Sequence, residues 1–279
     1  MERIIDCFRG VEGVMLLDYS NDVSHNRMVI TAVGSPESMK KAVVKAIGTA
    51  VREIDLNQHR GEHPRMGTAD VVPFIPIRNM TMDEAVQLAK DVAAEVSTAN
   101  DLPIYLYEKA ASASHRENLA DVRKGQFEGL ALKMQDPLWK PDFGPSTPHP
   151  TAGATIIGAR NFLIAWNVNL NTDNLEIAKA IAKKVRFSSG GFPCVKALGI
   201  ALAEKGQVQV SMNLTDFTQT SMHQVFDCIR EEAASRGVSI ACSEVIGMLP
   251  LEALVDTTVH YLQIKDFDLN RILENRLLE

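Results

Sequence analysis

The twenty residues from Asp136 to Thr155 carry five prolines, at 137, 141, 145, 148 and 150, together with Gly144 and Gly153. Proline fixes φ and donates no backbone hydrogen bond, so neither a regular helix nor a central strand runs through such a segment. A loop this long inside a compact protein is either functional or disordered. Trp139 and Phe143 favour order, because disordered segments are poor in aromatic residues. The regular elements must therefore lie on either side of a long, ordered, proline-rich loop.

The chain has 279 residues, room for two cores of about 100–150 residues each. With 46% hydrophobic and 23% charged residues it is globular in composition. A net charge of −6 argues against broad nucleic-acid binding, which favours a basic chain. It does not bar an anionic small ligand, since local Arg and Lys placement governs that. Cys7, Cys194, Cys228 and Cys242 form no CxxC pair and read as reduced, structural thiols. No window approaches the apolar length of a membrane span and no signal peptide opens the chain, so the expected compartment is the cytoplasm.

Patterning alternates strands with helices. Strands are expected over 14–19 and 27–33, then a helix over 37–54 started by Ser35 and Pro36. A second helix opens near Met80 and runs to about Ser97, with Thr81 as cap and Glu84 completing a capping box. Residues 102–107 read as a short strand, and 118–134 as a helix broken near Gly125 and Gly129. In the second half, strands are expected over 162–170, 195–203, 208–214 and 239–244. The helices there are 175–184, 221–235, 251–261 and 269–278. Mixed strand pairs and crossover helices suit an α+β fold of two sandwich-like halves, each a sheet with helices on one face.

One stretch is dense in chemistry. His59-Arg-Gly-Glu-His-Pro-Arg-Met-Gly67 places two imidazoles, two guanidiniums and a carboxylate just ahead of the apolar run 71–77. Loops anchored by a buried strand are where rigid scaffolds present catalytic groups. Pro64 pushes His63 toward an extended backbone. A solvated polar loop is the plain alternative. Metal binding through His59, His63 and Asp70 is another, although Gly61 and Pro64 oppose the helix that the i, i+4 spacing would need.

Gly61-Glu-His-Pro-Arg-Met-Gly67 followed by Val72-Pro-Phe-Ile-Pro76 resembles the active-site region of the glutamate formiminotransferase family, here without a cyclodeaminase. Pro141-Asp-Phe-Gly-Pro-Ser-Thr147, Gly153-Ala-Thr155 and 158–165 resemble that family's folate-binding loop and the strand after it. Residues 208–216 are similar to its Gln-Val-Ser-x-Asn-Leu-x-Asp segment, and Glu244-Val-Ile-Gly-Met-Leu-Pro250 resembles its acidic-or-Gln, Val-Gly-Leu-Val-Pro turn. The likeness runs nearly end to end. It departs at the start: the family's opening Glu-Cys-Val-Pro-Asn-Phe-Ser-Glu-Gly strand has no counterpart here, so an exposed sheet edge is expected.

The resemblance implies two ferredoxin-like subdomains, 1–161 and 162–279, with a ligand groove between them and a homodimer as the assembly. It implies transfer of a formimino group from N-formimino-L-glutamate to N5 of tetrahydrofolate, the co-substrate. Alternatives are a non-catalytic folate-binding paralogue and a formylglutamate-type donor. His63 matches the catalytic histidine, and an imidazole with an ordinary pKa near 6.5 suits proton transfer. Arg65 is the candidate carboxylate clamp. Arg27 and Arg160 are weaker ones. Gly144, Pro145, Ser146, Thr147 and Gly153 are the expected folate contacts.

Overall fold

The computed structural model describes residues 1–22, 26–61 and 64–277. They form two compact units, 1–160 and 161–279.

In the first unit a short helix α1 (Glu2–Ile5) precedes an antiparallel hairpin, β1 (Val14–Asp22) and β2 (Arg27–Gly34), with a register shift between Leu16 and Asp18. Helix α2 (Pro36–Glu53) starts at Ser35, whose side chain accepts from Ser38 N at 3.4 Å. Helix α3 (Met82–Asn100) carries the expected capping box: Glu84 N donates to Thr81 Oγ1 at 3.2 Å and Thr81 N to Glu84 Oε2 at 2.6 Å.

The strands β3 (Val71–Phe74), β4 (Ile104–Glu108) and β5 (Thr155–Ala159) make a parallel sheet in the order β3-β5-β4. Its central strand, β5, emerges directly from the proline-rich loop. Pro73 is tolerated because β3 is an edge strand. Both faces are covered, as parallel sheets require. Ile104, Leu106, Ile157 and Phe74 join α2 and α3 in one apolar cluster. Tyr105, Tyr107 and Ile156 pack on the other side against α4 (Leu119–Arg123) and α5 (Gln126–Lys133). Helices on a single face were expected here. The second layer arises because 118–134 folds as two helices around Gly125 (φ +93°), while Gly129 lies inside α5 and breaks nothing.

The second unit runs β6 (Ile164–Leu170), α6 (Leu175–Val185), β7 (Val195–Leu202), β8 (Gln207–Leu214), α7 (Met222–Ala234) and β9 (Ile240–Ile246). The sheet is antiparallel with the order β7-β8-β6-β9, so this unit is a β-α-β-β-α-β sandwich of ferredoxin-like topology. Ile164, Trp166, Val168 and Leu170 of β6 alternate inward with Val208, Val210, Met212 and Leu214 of β8. They bury against α6 and α7 and leave the opposite face without a helix from that core. Helix α8 (Leu251–Tyr261) packs on α7, where Tyr261 donates to Asp227 Oδ1 at 2.8 Å. The helix expected over 269–278 is a 3₁₀ turn, Leu269–Arg271, followed by α9 (Leu273–Leu277). Among the described residues no helix is long and apolar enough to cross a membrane.

Candidate functional site

The loop between α2 and β3 is locked to the proline-rich loop by backbone contacts. Leu56 N donates to Thr151 O at 2.8 Å, Thr68 N to Ala152 O at 3.1 Å and Ala154 N to Met66 O at 3.1 Å. Gly67 and Gly153 form a bridge at the closest approach. Met66 is fully buried, and its N–H donates to Asp70 Oδ1 at 2.7 Å. Leu56 on one side of the motif and Met66 to Thr68 on the other are therefore held by a frame. Glu62 and His63 themselves lie outside the described residues.

His59 Nε2 meets Asn26 O at 2.7 Å and Asn26 Nδ2 donates to Arg60 O at 2.8 Å, tying this loop to the β1–β2 hairpin. Arg65 is engaged by Glu128 of α5, at 2.9 Å from Nη1 and 2.7 Å from Nη2. That fork holds the Glu128 carboxyl below its usual range, against a smaller opposing effect of burial. Arg123, which ends α4, pairs with Asp70 at 2.8 Å. Burial pushes the Arg27 guanidinium pKa down, Arg123 adds to this by like-charge repulsion, and Asp70 opposes both. Burial raises the Tyr107 phenol, and Arg160, which hydrogen-bonds it, pulls the other way.

Polar satisfaction is incomplete around this loop. Among the described residues, the buried side-chain atoms without a hydrogen-bond partner include His59 Nδ1, Arg65 Nε, Thr68 Oγ1, Arg123 Nε and Thr155 Oγ1, whereas Asp70 Oδ2 is met by Arg123. Buried polar groups in folded proteins are nearly always paired. Three of the unpaired atoms, His59 Nδ1, Arg65 Nε and Thr68 Oγ1, belong to the loop between α2 and β3 itself.

The expected folate contacts divide into two kinds. Ser146 and Thr147 are exposed and able to meet a ligand. Gly144 (φ +86°) instead serves the protein itself, because a Cβ there would lie 2.4 Å from Ser97 Oγ and 2.6 Å from Leu102 O. Gly153 is likewise required by the contact with Met66 O. Pro145 lines a shallow depression with Ser97, Thr98 and Asp101. His149 Nδ1 accepts from Ala152 N at 3.0 Å and so shapes the loop's own turn.

Residues 1–160 match the formiminotransferase domain, N-terminal subdomain, and 165–277 match the formiminotransferase domain. The chain belongs to the formiminotransferase domain family. It is 46% identical to a glutamate formimidoyltransferase of Streptococcus pyogenes serotype M1, over 100% of this chain and 93% of that relative. A glutamate formimidoyltransferase of Thermoplasma acidophilum is 44% identical, over 99% of this chain and 92% of its own length. With the formimidoyltransferase-cyclodeaminase of Rattus norvegicus the identity is 41%, over 94% of this chain but 49% of that longer protein.

Within this formiminotransferase frame, sequence reasoning passed over Arg123, Glu128 and Tyr107, and gave Asp70 only a metal-ligand role. Arg123 and Glu128 flank Gly125, where the chain turns between two helices, and the break alone does not tell which charges of the two pieces face the loop. Asp70 carried a usable signal: an acidic residue just before an apolar strand and four residues after Met66 is placed to cap the preceding turn.

Proposed function

We propose that this chain transfers the formimino group of N-formimino-L-glutamate to N5 of tetrahydrofolate, giving 5-formiminotetrahydrofolate and glutamate. The observation that carries the reading is end-to-end similarity to stand-alone enzymes named for the glutamate formimidoyl transfer. Residues 1–161 and 162–279 are taken as the two subdomains. The reading extends to a cytoplasmic homodimer acting in histidine degradation.

N5 of tetrahydrofolate attacks the amidine carbon, forming a C–N bond and a tetrahedral centre. The bond from that carbon to the glutamate nitrogen then breaks. His63 takes the N5 proton and returns it to the departing amine, so glutamate leaves neutral at nitrogen. Histidine suits both transfers because its ordinary pKa lies close to working pH. Arg65 takes a donor carboxylate in exchange for Glu128, whose side chain is largely exposed. Ser146 and Thr147 donate hydroxyl hydrogen bonds to the folate, on a loop whose path Gly144, Pro145 and Gly153 fix.

The test is turnover by the purified chain with N-formimino-L-glutamate and tetrahydrofolate, followed by the absorbance of the folate product. Release of glutamate only in the presence of both substrates supports the reading. Folate binding without turnover of this donor overturns it in favour of a non-catalytic paralogue, and turnover of N-formyl-L-glutamate alone reassigns the donor.

A further inference from the structure

Two segments singled out in the sequence, 208–216 and 244–250, contribute to strands β8 and β9, which flank β6 in the second unit's sheet and present side chains to the face that carries no helix from the core. In register across the strands, Ile200, Gln209, Asn169 and Cys242 form one row and Leu198, Ser211, Asn167 and Glu244 the next. Polar side chains on an uncovered sheet face are ordinarily solvated. Here Asn169 is fully buried and Gln209 is 7% exposed.

Their amides form a directed chain. Gln209 Nε2 donates to Asn169 Oδ1 at 2.8 Å, and Asn169 Nδ2 donates to Glu244 Oε1 at 3.0 Å. Asn169 Nδ2 also lies 3.4 Å from Cys242 Sγ, Gln209 Nε2 is 3.5 Å from Glu244 Oε2, and Lys205 Nζ is 3.5 Å from Glu244 Oε1. The Glu244 carboxylate is thus oriented by two buried amides, while 36% of its side chain stays open. Ionised carboxylates offer about four acceptor sites, so this one retains capacity in its own plane. Ile246, two residues along the same face, exposes 55% of its surface and offers an apolar neighbour.

We infer that Glu244, positioned by Asn169 and Gln209, is the acceptor for a coplanar pair of ligand N–H groups, an amidine-type edge. A fixed carboxylate matches two parallel donors as it matches a guanidinium, and such pairs are geometrically selective. The proposed reaction supplies this chemistry from two sources. The pterin of a folate presents its ring N3–H beside the 2-amino group, and the formimino donor is itself an amidine. The inference rests on the transferase reading and deepens it by giving the second unit a recognition role.

The test uses Glu244→Gln, which keeps the shape and the Asn169 contact but turns an N–H toward the ligand's donors. Binding of 5-formyltetrahydrofolate is measured by calorimetry, kcat and KM for N-formimino-L-glutamate by turnover, and folding by thermal unfolding. Loss of a charge-assisted pair predicts about 10- to 100-fold weakening in one arm. Weaker folate affinity with an unchanged KM for the donor assigns the edge to the pterin, and the converse assigns it to the formimino group. An unchanged variant beside an active wild type overturns this site alone. Equal losses in both arms with a lowered unfolding temperature make the network structural and also overturn it. A wild-type protein that neither binds the folate nor turns over the donor removes the transferase reading and this inference together.

Discussion

Gly67 and Gly153 face each other in an isolated antiparallel bridge that joins the loop carrying the His-Pro-Arg motif to the proline-rich loop. A Cβ on Gly67 would stand 2.1 Å from Ala154 O, and one on Gly153 would stand 2.2 Å from Met66 O. Both loops keep their paths only because neither position carries a side chain.

Gly153→Ala should therefore destabilise the protein by about 2 kcal/mol or more, since a left-handed backbone and a carbonyl clash combine. Its φ is +70°. Gly129→Ala is the contrast, for nothing lies within 4 Å of a Cβ there and the residue is helical. That variant should gain about 0.5–1 kcal/mol. Urea unfolding midpoints check both. Weakened folate binding in Gly153→Ala would accordingly report a disturbed frame and not a blocked contact.

A second anchor holds the start of the proline-rich loop. Asp142 Oδ2 accepts from Leu106 N at 2.7 Å and from Arg116 Nη1 at 2.8 Å, with both side chains nearly buried. Asp142→Ala leaves the buried Arg116 guanidinium with the carbonyls of Leu138 and Lys140 but without its counter-charge, which costs about 3 kcal/mol. Hydrogen exchange should quicken at Leu106 and through residues 141–145, while the second unit keeps its protection.

These anchors show where the sequence was informative. Caps were legible because Ser35 and Thr81 each carry their signal within three residues of the helix start. The break at Gly125 was legible for the same local reason. The strand β5 was not, because the short apolar run Ala154-Thr-Ile-Ile-Gly-Ala159 sits against a proline-rich loop and shows no alternation. Strands buried on both faces lose period-two patterning, so only pairing with β3 and β4 reveals them. The site was half legible. A motif names its residues, but Arg116–Asp142, Arg123–Asp70 and Asn169–Glu244 are long-range pairs that no spacing encodes.

Lys133 gives a pH-dependent test. Its ammonium donates to the carbonyls of Asp121 and Val122 at 2.7 and 2.5 Å, and lies 3.7 Å from the Trp139 ring centre. Burial pushes its pKa down to about 8, against attraction from Asp121. The unfolded side chain titrates near its ordinary value of about 10.4. Between these values the unfolded chain holds a proton that the folded one has released, so stability rises with pH in that window. Lys133→Met removes the contribution. The stability of the wild type relative to this variant should grow from pH 8 to pH 10, read from urea midpoints.

Arg65 and Glu128 separate two roles for one guanidinium. Arg65→Lys keeps the charge but loses the planar fork, so KM for the formimino donor should rise while kcat holds. Glu128→Gln should have the opposite effect on KM if a donor carboxylate replaces Glu128, because the competing anion is gone. A higher KM in Glu128→Gln would instead show that Glu128 positions Arg65, and exchange of partners would be the wrong account.

The two histidines of the motif should differ most of all. His63→Ala should lower turnover by roughly 10²–10⁴-fold, the usual contribution of one positioned acid–base group. Affinity for 5-formyltetrahydrofolate should survive, with kcat falling more than KM rises, because proton transfer is needed mainly in the transition state. His59 is committed through Nε2 to the carbonyl of Asn26, which secures the hairpin to the loop. His59→Ala should then cost stability by about 1 kcal/mol, the net worth of one hydrogen bond, and change kcat little. Stopped assays on both variants at matched folded fraction separate the cases. Equal loss of kcat in the two would mean that His59 shares the proton transfer, and full activity in His63→Ala would move the chemistry away from this loop.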